Sequence, residues 1–185
     1  MKKTLLIIAL VLALTTSAFA GVIGVYDLTG YNDTHADFLS FLESMPDIYN
    51  MHLWMQDNFT WNYHAAAYTP YQQWIYKNGD CNDMSTFVLY YLKVHFYCSY
   101  KQVYIRCNEN VAHMIAVEPH GLWYTSNQEL YASFGSIADC VADWDSRTSN
   151  YSVKWYNVYD YDLNFIQSSK SPAGVPDIAP ASYLE

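Results

Sequence analysis

The sequence predicts an α+β fold in which helices come first and an antiparallel sheet follows. Up to His95, apolar residues recur at the spacing of one face of a helix. From Lys101 onward the spacing changes to near two, which is the period of a strand with one buried face. Glycine, proline and asparagine separate the later segments at hairpin distances. Helices and strands segregated in this way are typical of the α+β class.

Two helices are predicted before residue 60. The first is expected to begin at Thr34, which forms a capping signal together with Asp37. The residues that follow place apolar side chains on one face, namely Phe38, Phe41 and Leu42. Residues 48–57 are expected to form the second helix.

Two more helices are predicted on either side of a glycine. Thr69 followed by Pro70 marks the start of a short third helix, since proline is favoured at the first helical position. This helix is expected to stop near Gly79, which supplies a left-handed turn. The fourth helix runs from Cys81 to His95, and its apolar face is formed by Met84, Phe87, Val88, Tyr91 and Leu92.

The second half of the chain predicts a sheet and one more helix. Three segments have the pattern of antiparallel strands: Lys101–Cys107, Ala112–Glu118 and Leu122–Ser126. A Ser136–Asp139 capping box starts the helix, and Ser152–Tyr159 alternates as a last strand. From Ser168 onward there is no apolar period, so residues 168–185 are expected to be a flexible tail after a domain spanning 21–167.

Residues 1–20 predict a secretory signal peptide. Lys2 and Lys3 precede the apolar run Leu5–Leu14, and Ala18-Phe19-Ala20 offers small residues at a cleavage site. Cleavage before Gly21 is expected to give an extracellular or periplasmic protein. The apolar run is too short for a transmembrane helix, so no membrane span is expected in the mature chain.

The charge balance argues against nucleic acid as a partner. Removal of the signal peptide takes away two lysines, which lowers the net charge from −9 to −11 and leaves a surface that repels phosphate backbones. The 19 tyrosines, 8 phenylalanines and 6 tryptophans suit either a core or an aromatic binding surface. The sequence has no nucleotide-binding or metal-binding motif, so no cofactor and no metal are expected.

The segment NGDCNDMSTFVLYYLK, residues 78–93, places Cys81 in the first turn of the fourth helix. Backbone N–H groups and the positive end of the helix dipole favour a thiolate at this position. Asp80 is expected to cap the helix, and Gly79 would leave room for a substrate backbone. The alternative is that Cys81 is a small buried apolar residue, which is the commoner role of an isolated cysteine.

A base and an orienting group follow in the predicted strands. His113 is a polar residue at the head of an apolar strand, and the next strand ends in Ser126-Asn127. An amide side chain beside the imidazole would hold the ring by a hydrogen bond. Cysteine, histidine and asparagine are therefore expected to converge, although a lone histidine in a strand is more often a core or edge residue.

Two stretches, TPYQQWIYKNGDCNDMSTFVLYYLK and AHMIAVEPHGLWYTSN, together resemble the transglutaminase-like superfamily, whose fold is related to papain-like cysteine peptidases. The segment 79–83 matches the Gly-Asp-Cys-x-Asp motif of that family, His113 opens the next motif, and Trp123 precedes the third. The resemblance covers residues 68–128. It implies a papain-like core in which Cys81 lies at a helix start packed on an antiparallel sheet.

The resemblance implies that Cys81 is a nucleophile and His113 its base. Asn127 is the implied third member and Ser126 the competing alignment, since many relatives carry aspartate there and this chain has no acid between residues 118 and 129. The Cys81 thiolate would attack an amide carbonyl and form a thioester, which water or an amine then resolves.

The remaining site residues are implied to support this chemistry. The backbone N–H of Cys81 and the side chain of Gln72 or Gln73 would bind the oxyanion, as in papain-like sites. Three further residues belong to the motifs and would help to shape the site: Asp80, Asp83 and Trp123.

These features predict a secreted, cysteine-dependent amide hydrolase that acts on a peptide or protein, with a cell-envelope polymer as a further candidate substrate. The same thioester would serve a transglutaminase, which transfers the acyl group to an amine. A third alternative is a non-catalytic module that retains the fold and binds peptide or cell-wall polymer through aromatic residues. Activity lost in a Cys81→Ala variant would separate the enzymes from the binding module.

The cysteine count also bears on whether Cys81 is a nucleophile. Four cysteines in a secreted chain suggest disulfides, but a nucleophile has to stay reduced. At most one bond is then expected among Cys98, Cys107 and Cys140. The favoured pair is Cys98–Cys140, because both lie outside the central strands.

Overall fold

The computed structural model describes residue 28 and residues 30–63, 67–96, 100–107, 111–118 and 120–169. The predicted signal peptide, residues 1–20, and most of the predicted tail, residues 170–185, lie outside the described residues. Within the described ranges, helices precede an antiparallel sheet and one helix interrupts it, which confirms the α+β class.

The described residues contain five α-helices, and each corresponds to a predicted one. Their bounds are α1 Ala36–Ser44, α2 Ile48–Asn58, α3 Pro70–Tyr76, α4 Cys81–Phe96 and α5 Ile137–Arg147. Among these described helices, none has the length and apolar character needed to cross a membrane.

The start of α1 differs from the prediction. The N-cap residue is His35, and its side chain makes no capping hydrogen bond. The Asp33 carboxylate instead accepts a hydrogen bond from the His35 N–H at 2.7 Å and contacts His35 Nδ1 at 2.9 Å. Asp33 therefore fixes the chain before the helix, and the capping role predicted for Thr34 is wrong.

The caps of α2 and α3 follow from local sequence. Asp47 caps α2, and Thr69 and Gln72 form a reciprocal capping box at the start of α3. The left-handed residue that ends α3 is Lys77, with φ of 56°, and its N–H donates back into the helix. Gly79, which was predicted to supply this turn, lies beyond it.

The strands form two sheets. A small parallel pair joins β1 (Thr60–Trp61) to β2 (Asn78–Gly79), directly before α4. The main sheet contains β3 Lys101–Cys107, β4 Ala112–Val117, β5 Trp123–Ser126, β6 Glu129–Ala132, β7 Val153–Tyr159 and β8 Phe165–Ser168. Its order is β6-β5-β4-β3-β7-β8, with antiparallel neighbours throughout.

The four predicted strands are confirmed as β3, β4, β5 and β7, whereas β1, β2, β6 and β8 were not predicted. β8 reaches Ser168, and the Ser169 N–H donates to the Tyr156 carbonyl at 2.9 Å. The ordered domain therefore extends slightly beyond residue 167.

The main sheet lies between α4 on one face and α5 on the other. On β4, Met114 and Ala116 pack in clusters with residues of α4. Ile115 and Val117 alternate with them and pack against α5, whose contacting residues are Cys140, Val141 and Trp144. We call these two surfaces the α4 face and the α5 face.

Candidate functional site

The start of α4 is built from two aspartates that cap each other's backbone. Asp80 Oδ1 accepts hydrogen bonds from the N–H groups of Asn82 at 2.8 Å and Asp83 at 3.3 Å. Asp83 Oδ2 accepts in return from the Asp80 N–H at 3.0 Å. Asp83 Oδ1 also binds the Tyr68 N–H at 2.8 Å, which ties the preceding loop to the helix.

Gly79 is required by this cap. A Cβ at Gly79 would lie 2.7 Å from the Asp83 Cβ, well inside any normal contact distance. The Gly-Asp-Cys-x-Asp spacing thus has a purely structural explanation: the glycine admits the Asp83 side chain, and the aspartates satisfy the helix start. The space that a Cβ would take at Gly79 is filled by the Asp83 side chain.

Cys81 follows the cap and lies against the α4 face of the sheet. Its partly buried side chain packs with Tyr104, Met114 and Tyr159. Burial raises the pKa of the thiol to about 12, and the negative charges of Asp80 and Asp83 act in the same direction. A backbone hydrogen bond from Met114 opposes them without overcoming them. The carboxylates thus occupy the helix start that was expected to stabilise a thiolate.

His113 lies on the other side of the sheet, on the α5 face. Its ring stacks on Trp144 of α5, with ring centroids 4.8 Å apart and an angle of 13° between the planes. Its Nε2 is 2.8 Å from the Ser126 hydroxyl. Burial lowers the pKa of His113 to about 4, so the ring is neutral at physiological pH.

Cys81 and His113 are therefore separated by the sheet itself. Cys81 packs beside Met114, the neighbour of His113 on β4, and successive side chains of a strand point to opposite faces. A change of register by one residue would be needed to bring the imidazole to the thiol side. The convergence of cysteine, histidine and asparagine expected from the sequence does not occur in this arrangement.

Ser126, and not Asn127, makes the contact with His113. Asn127 begins the turn between β5 and β6 with φ of 53°, a left-handed conformation that asparagine tolerates. Its Oδ1 is buried and has no hydrogen-bond partner within the described residues. The contact predicted for Asn127 was placed one residue too late, because the strand ends at Ser126 and the chain then turns.

The remaining predicted site residues have structural contacts. Gln72 belongs to the α3 capping box. Gln73 is fully buried, and its Nε2 donates to the Tyr68 carbonyl at 3.2 Å. Trp123 packs on Tyr100, with ring centroids 5.5 Å apart.

The cysteines give no support for the predicted disulfide. Cys140 is a free, buried thiol whose Sγ donates to the Gly121 carbonyl at 3.2 Å. Cys98 lies outside the described residues. The expected Cys98–Cys140 bond is therefore absent at its Cys140 end, because that thiol is directed into the core between α5 and the sheet. Among the described side chains, no group of three or more metal-ligating residues is placed to hold a metal ion.

A group of exposed apolar side chains lies on and near β1 and β2, and the sequence did not predict this location. It consists of Trp61, Tyr63, Ile75 and Tyr76, which are 56%, 63%, 47% and 51% exposed. We call this group the aromatic patch. Tyr76 contacts the ring of Tyr68 at 5.2 Å between centroids, which joins the end of α3 to the loop before it. The only sequence signal for the aromatic patch is the high content of aromatic residues, which does not distinguish a surface from a core.

Lys77, the residue that follows α3, lies in a box of aromatic rings. The Lys77 ammonium is 4.2 Å from the centroid of the Trp54 ring and 4.9 Å from that of Trp74, with Phe41 at 5.9 Å. Burial lowers the pKa of Lys77. The lysine therefore joins α1, α2 and α3 through contacts between its charge and their ring faces.

Comparisons with known proteins assign no role to the residues of the candidate site. The resemblance to the transglutaminase-like superfamily, based on the motifs between residues 68 and 128, stays a prediction from the sequence. A scan of protein-family models and a search of curated proteins both find no match to the chain.

Proposed function

We propose that this chain is a secreted, non-catalytic module that binds peptides, built on an α+β core similar to that of the transglutaminase-like superfamily. The observation that carries the proposal is the position of Cys81 and His113 on opposite faces of β4. A nucleophile and its base have to lie within hydrogen-bond reach of one another, directly or through one water.

The protonation states support the same conclusion. A thiol with a pKa near 12 is almost wholly protonated at neutral pH, and an imidazole with a pKa near 4 carries no charge there. An ion pair needs the opposite shifts, a thiolate stabilised by a neighbouring imidazolium. The amide hydrolase and the transglutaminase both depend on that ion pair. Evidence against the pair is therefore evidence against both enzymes.

The binding role is supported by the aromatic patch. Exposed tyrosine and tryptophan side chains provide large contact areas with little loss of conformational entropy, and they are enriched where proteins bind peptides. Three such side chains, Trp61, Tyr63 and Tyr76, are exposed on β1, after it and on α3, together with the apolar Ile75.

Thiol reactivity and turnover together test the proposal. The mature protein and Cys81→Ala are incubated with a defined peptide mixture and a labelled primary amine, and mass spectrometry follows cleavage and amine incorporation. Neither product is expected to depend on Cys81. Iodoacetamide at pH 6 is expected to label Cys81 more slowly than a free thiol of pKa ~8.5.

The matched control is His113→Gln, which keeps a polar side chain of similar size. Its labelling rate at Cys81 should equal that of the unmodified chain, since the sheet separates the two residues. The immobilised unmodified protein and its Cys81→Ala variant should retain the same peptides from the mixture. Rapid labelling at pH 6 that is lost in His113→Gln, or cleavage that requires Cys81, would restore the hydrolase.

A further inference from the structure

The walls around the Lys77 ammonium are three aromatic rings from three helices. The ring centroids of Trp54 of α2 and Trp74 of α3 lie 4.2 Å and 4.9 Å from Nζ, and that of Phe41 of α1 lies at 5.9 Å. All three distances are within the ~6 Å over which a ring face attracts a cation. We call these three rings the aromatic box.

The aromatic box does not depend on the lysine for its shape. The ring of Phe41 contacts those of Trp54 and Trp74, with centroids 4.5 Å and 5.6 Å apart. Trp54 also packs on the buried rings of Phe59 and Phe87, at 5.3 Å and 6.1 Å. Because these rings hold one another, the walls stay in place when the lysine side chain leaves.

The aromatic box lies at the surface of the domain. Phe41, Trp54 and Trp74 are each half-buried, and so is Lys77. The lysine follows the last residue of α3, and a flexible four-carbon stem carries its ammonium into the box. The side chain can therefore swing out to water without unfolding a helix.

A primary ammonium is a poor match to these walls. Within the described residues, no carboxylate pairs with the Lys77 ammonium, and burial lowers its pKa. Its three N–H donors lose water partners against ring faces. A trimethylammonium group has no N–H donor to satisfy and keeps its charge at every pH. The same walls should therefore accept it at a smaller cost of desolvation.

We propose that the aromatic box binds the trimethylammonium group of a quaternary ammonium ligand, such as choline or trimethyllysine, which displaces the Lys77 side chain. The ring faces attract the charge, and Lys77 acts as an internal competitor that lowers the apparent affinity. This site goes beyond the proposed peptide-binding function, and the outcome of the Cys81 tests does not bear on it.

The first probe is choline, titrated against the mature protein while NMR follows the indole N–H groups of the tryptophans. The matched control is 3,3-dimethylbutan-1-ol, which has the shape of choline but carries a neutral carbon in place of the nitrogen. We expect choline to bind about tenfold more tightly than the alcohol, because only choline gains the attraction of the ring faces. Equal binding of the two compounds, or no binding of choline, would overturn the proposal.

Protein variants locate the site. Lys77→Gly removes the competitor, and glycine suits the left-handed φ of 56°, so choline should bind about fivefold more tightly. Trp54→Leu should abolish the preference for choline, whereas Tyr49→Leu, at a 61% exposed ring on the same helix, should retain it. Trp74→Leu serves as the second wall variant if circular dichroism shows that Trp54→Leu is unfolded. An unchanged affinity in Lys77→Gly, or an unchanged preference in the wall variant, would contradict a site in the box.

A pair of lysine derivatives separates the two sources of the group. The N-acetyl amides of lysine and of Nε-trimethyllysine are titrated in the same way. Tighter binding of the trimethylated compound than of choline would support the site and assign it to a methylated protein segment, and the reverse would assign it to a choline compound. Equal binding of the two lysine derivatives would overturn the preference for a quaternary ammonium group.

Discussion

Buried histidines should make the protein lose stability in mild acid, and His52 of α2 allows the effect to be calculated. His52 is only 2% exposed, and its Nδ1 lies 3.3 Å from the Gln128 carbonyl in the turn between β5 and β6. Burial lowers its pKa from 6.5 to about 4. The folded protein therefore resists protonation at a pH where the unfolded chain accepts it.

The sign and size of the effect follow from proton linkage. A histidine with a lowered pKa in the folded state contributes stability above pH 6.5, and this contribution is lost as the pH falls towards 4. The difference between 6.5 and 4 corresponds to roughly 3 kcal/mol at ~1.36 kcal/mol for each unit of pKa. About 2 kcal/mol of this should already be lost at pH 5, before most carboxylates titrate.

The assay is urea denaturation followed by tryptophan fluorescence at several pH values between 7.5 and 5. His52→Gln should flatten the dependence of the unfolding free energy on pH by about 2 kcal/mol over this range. Met51→Leu, a change of similar volume at a fully buried neighbour on α2, should lower stability slightly without altering the pH dependence. An equal pH dependence in His52→Gln and the unmodified chain would refute the calculation.

Two further substitutions test the helix cap and the aromatic box. Gly79→Ala places a Cβ 2.7 Å from that of Asp83 and should lower the unfolding free energy by about 1–3 kcal/mol, whereas Gly135→Ala meets only a flexible carboxylate oxygen at 3.3 Å and should be nearly neutral. Equal effects in urea denaturation would contradict the structural role of the glycine. Lys77→Met keeps the aliphatic stem but removes the charge, so it should lower stability by about 1 kcal/mol. Lys154→Met, at an exposed lysine, should leave stability unchanged. Equal melting temperatures for the Lys77→Met and Lys154→Met variants would exclude a stabilising role of the Lys77 charge in the aromatic box.

Local chemistry in the sequence predicts most element starts. Thr69 with Pro70, and Ser136 with Asp139, carry their capping partners within four residues, so the helices begin where expected. The start of α1 was misjudged because Asp33, one residue earlier, competes for the same backbone groups. The strands β6 and β8 lie at the two edges of the main sheet, and their residues are mostly exposed, so they lack the buried apolar face that marks a strand in sequence.

The arrangement of the candidate site depends on information that local sequence does not carry. Alternation shows that His113, Ile115 and Val117 share a face of β4, but not which helix covers that face. All four residues 114–117 are fully buried, so both faces have an apolar pattern. The Asp80–Cys81–Asp83 motif is equally ambiguous, because the requirements of a helix cap and of a catalytic turn select the same residue types.

The sheet with a helix on each face divides the interior into two compartments. Met114 belongs to one and Ile115 to the other, although they are adjacent in the chain. Side chains on opposite faces share no contact surface, so a cavity made on one side cannot be filled from the other. The energetic effects of substitutions in the two compartments should therefore add, and non-additive pairs should be confined to one compartment.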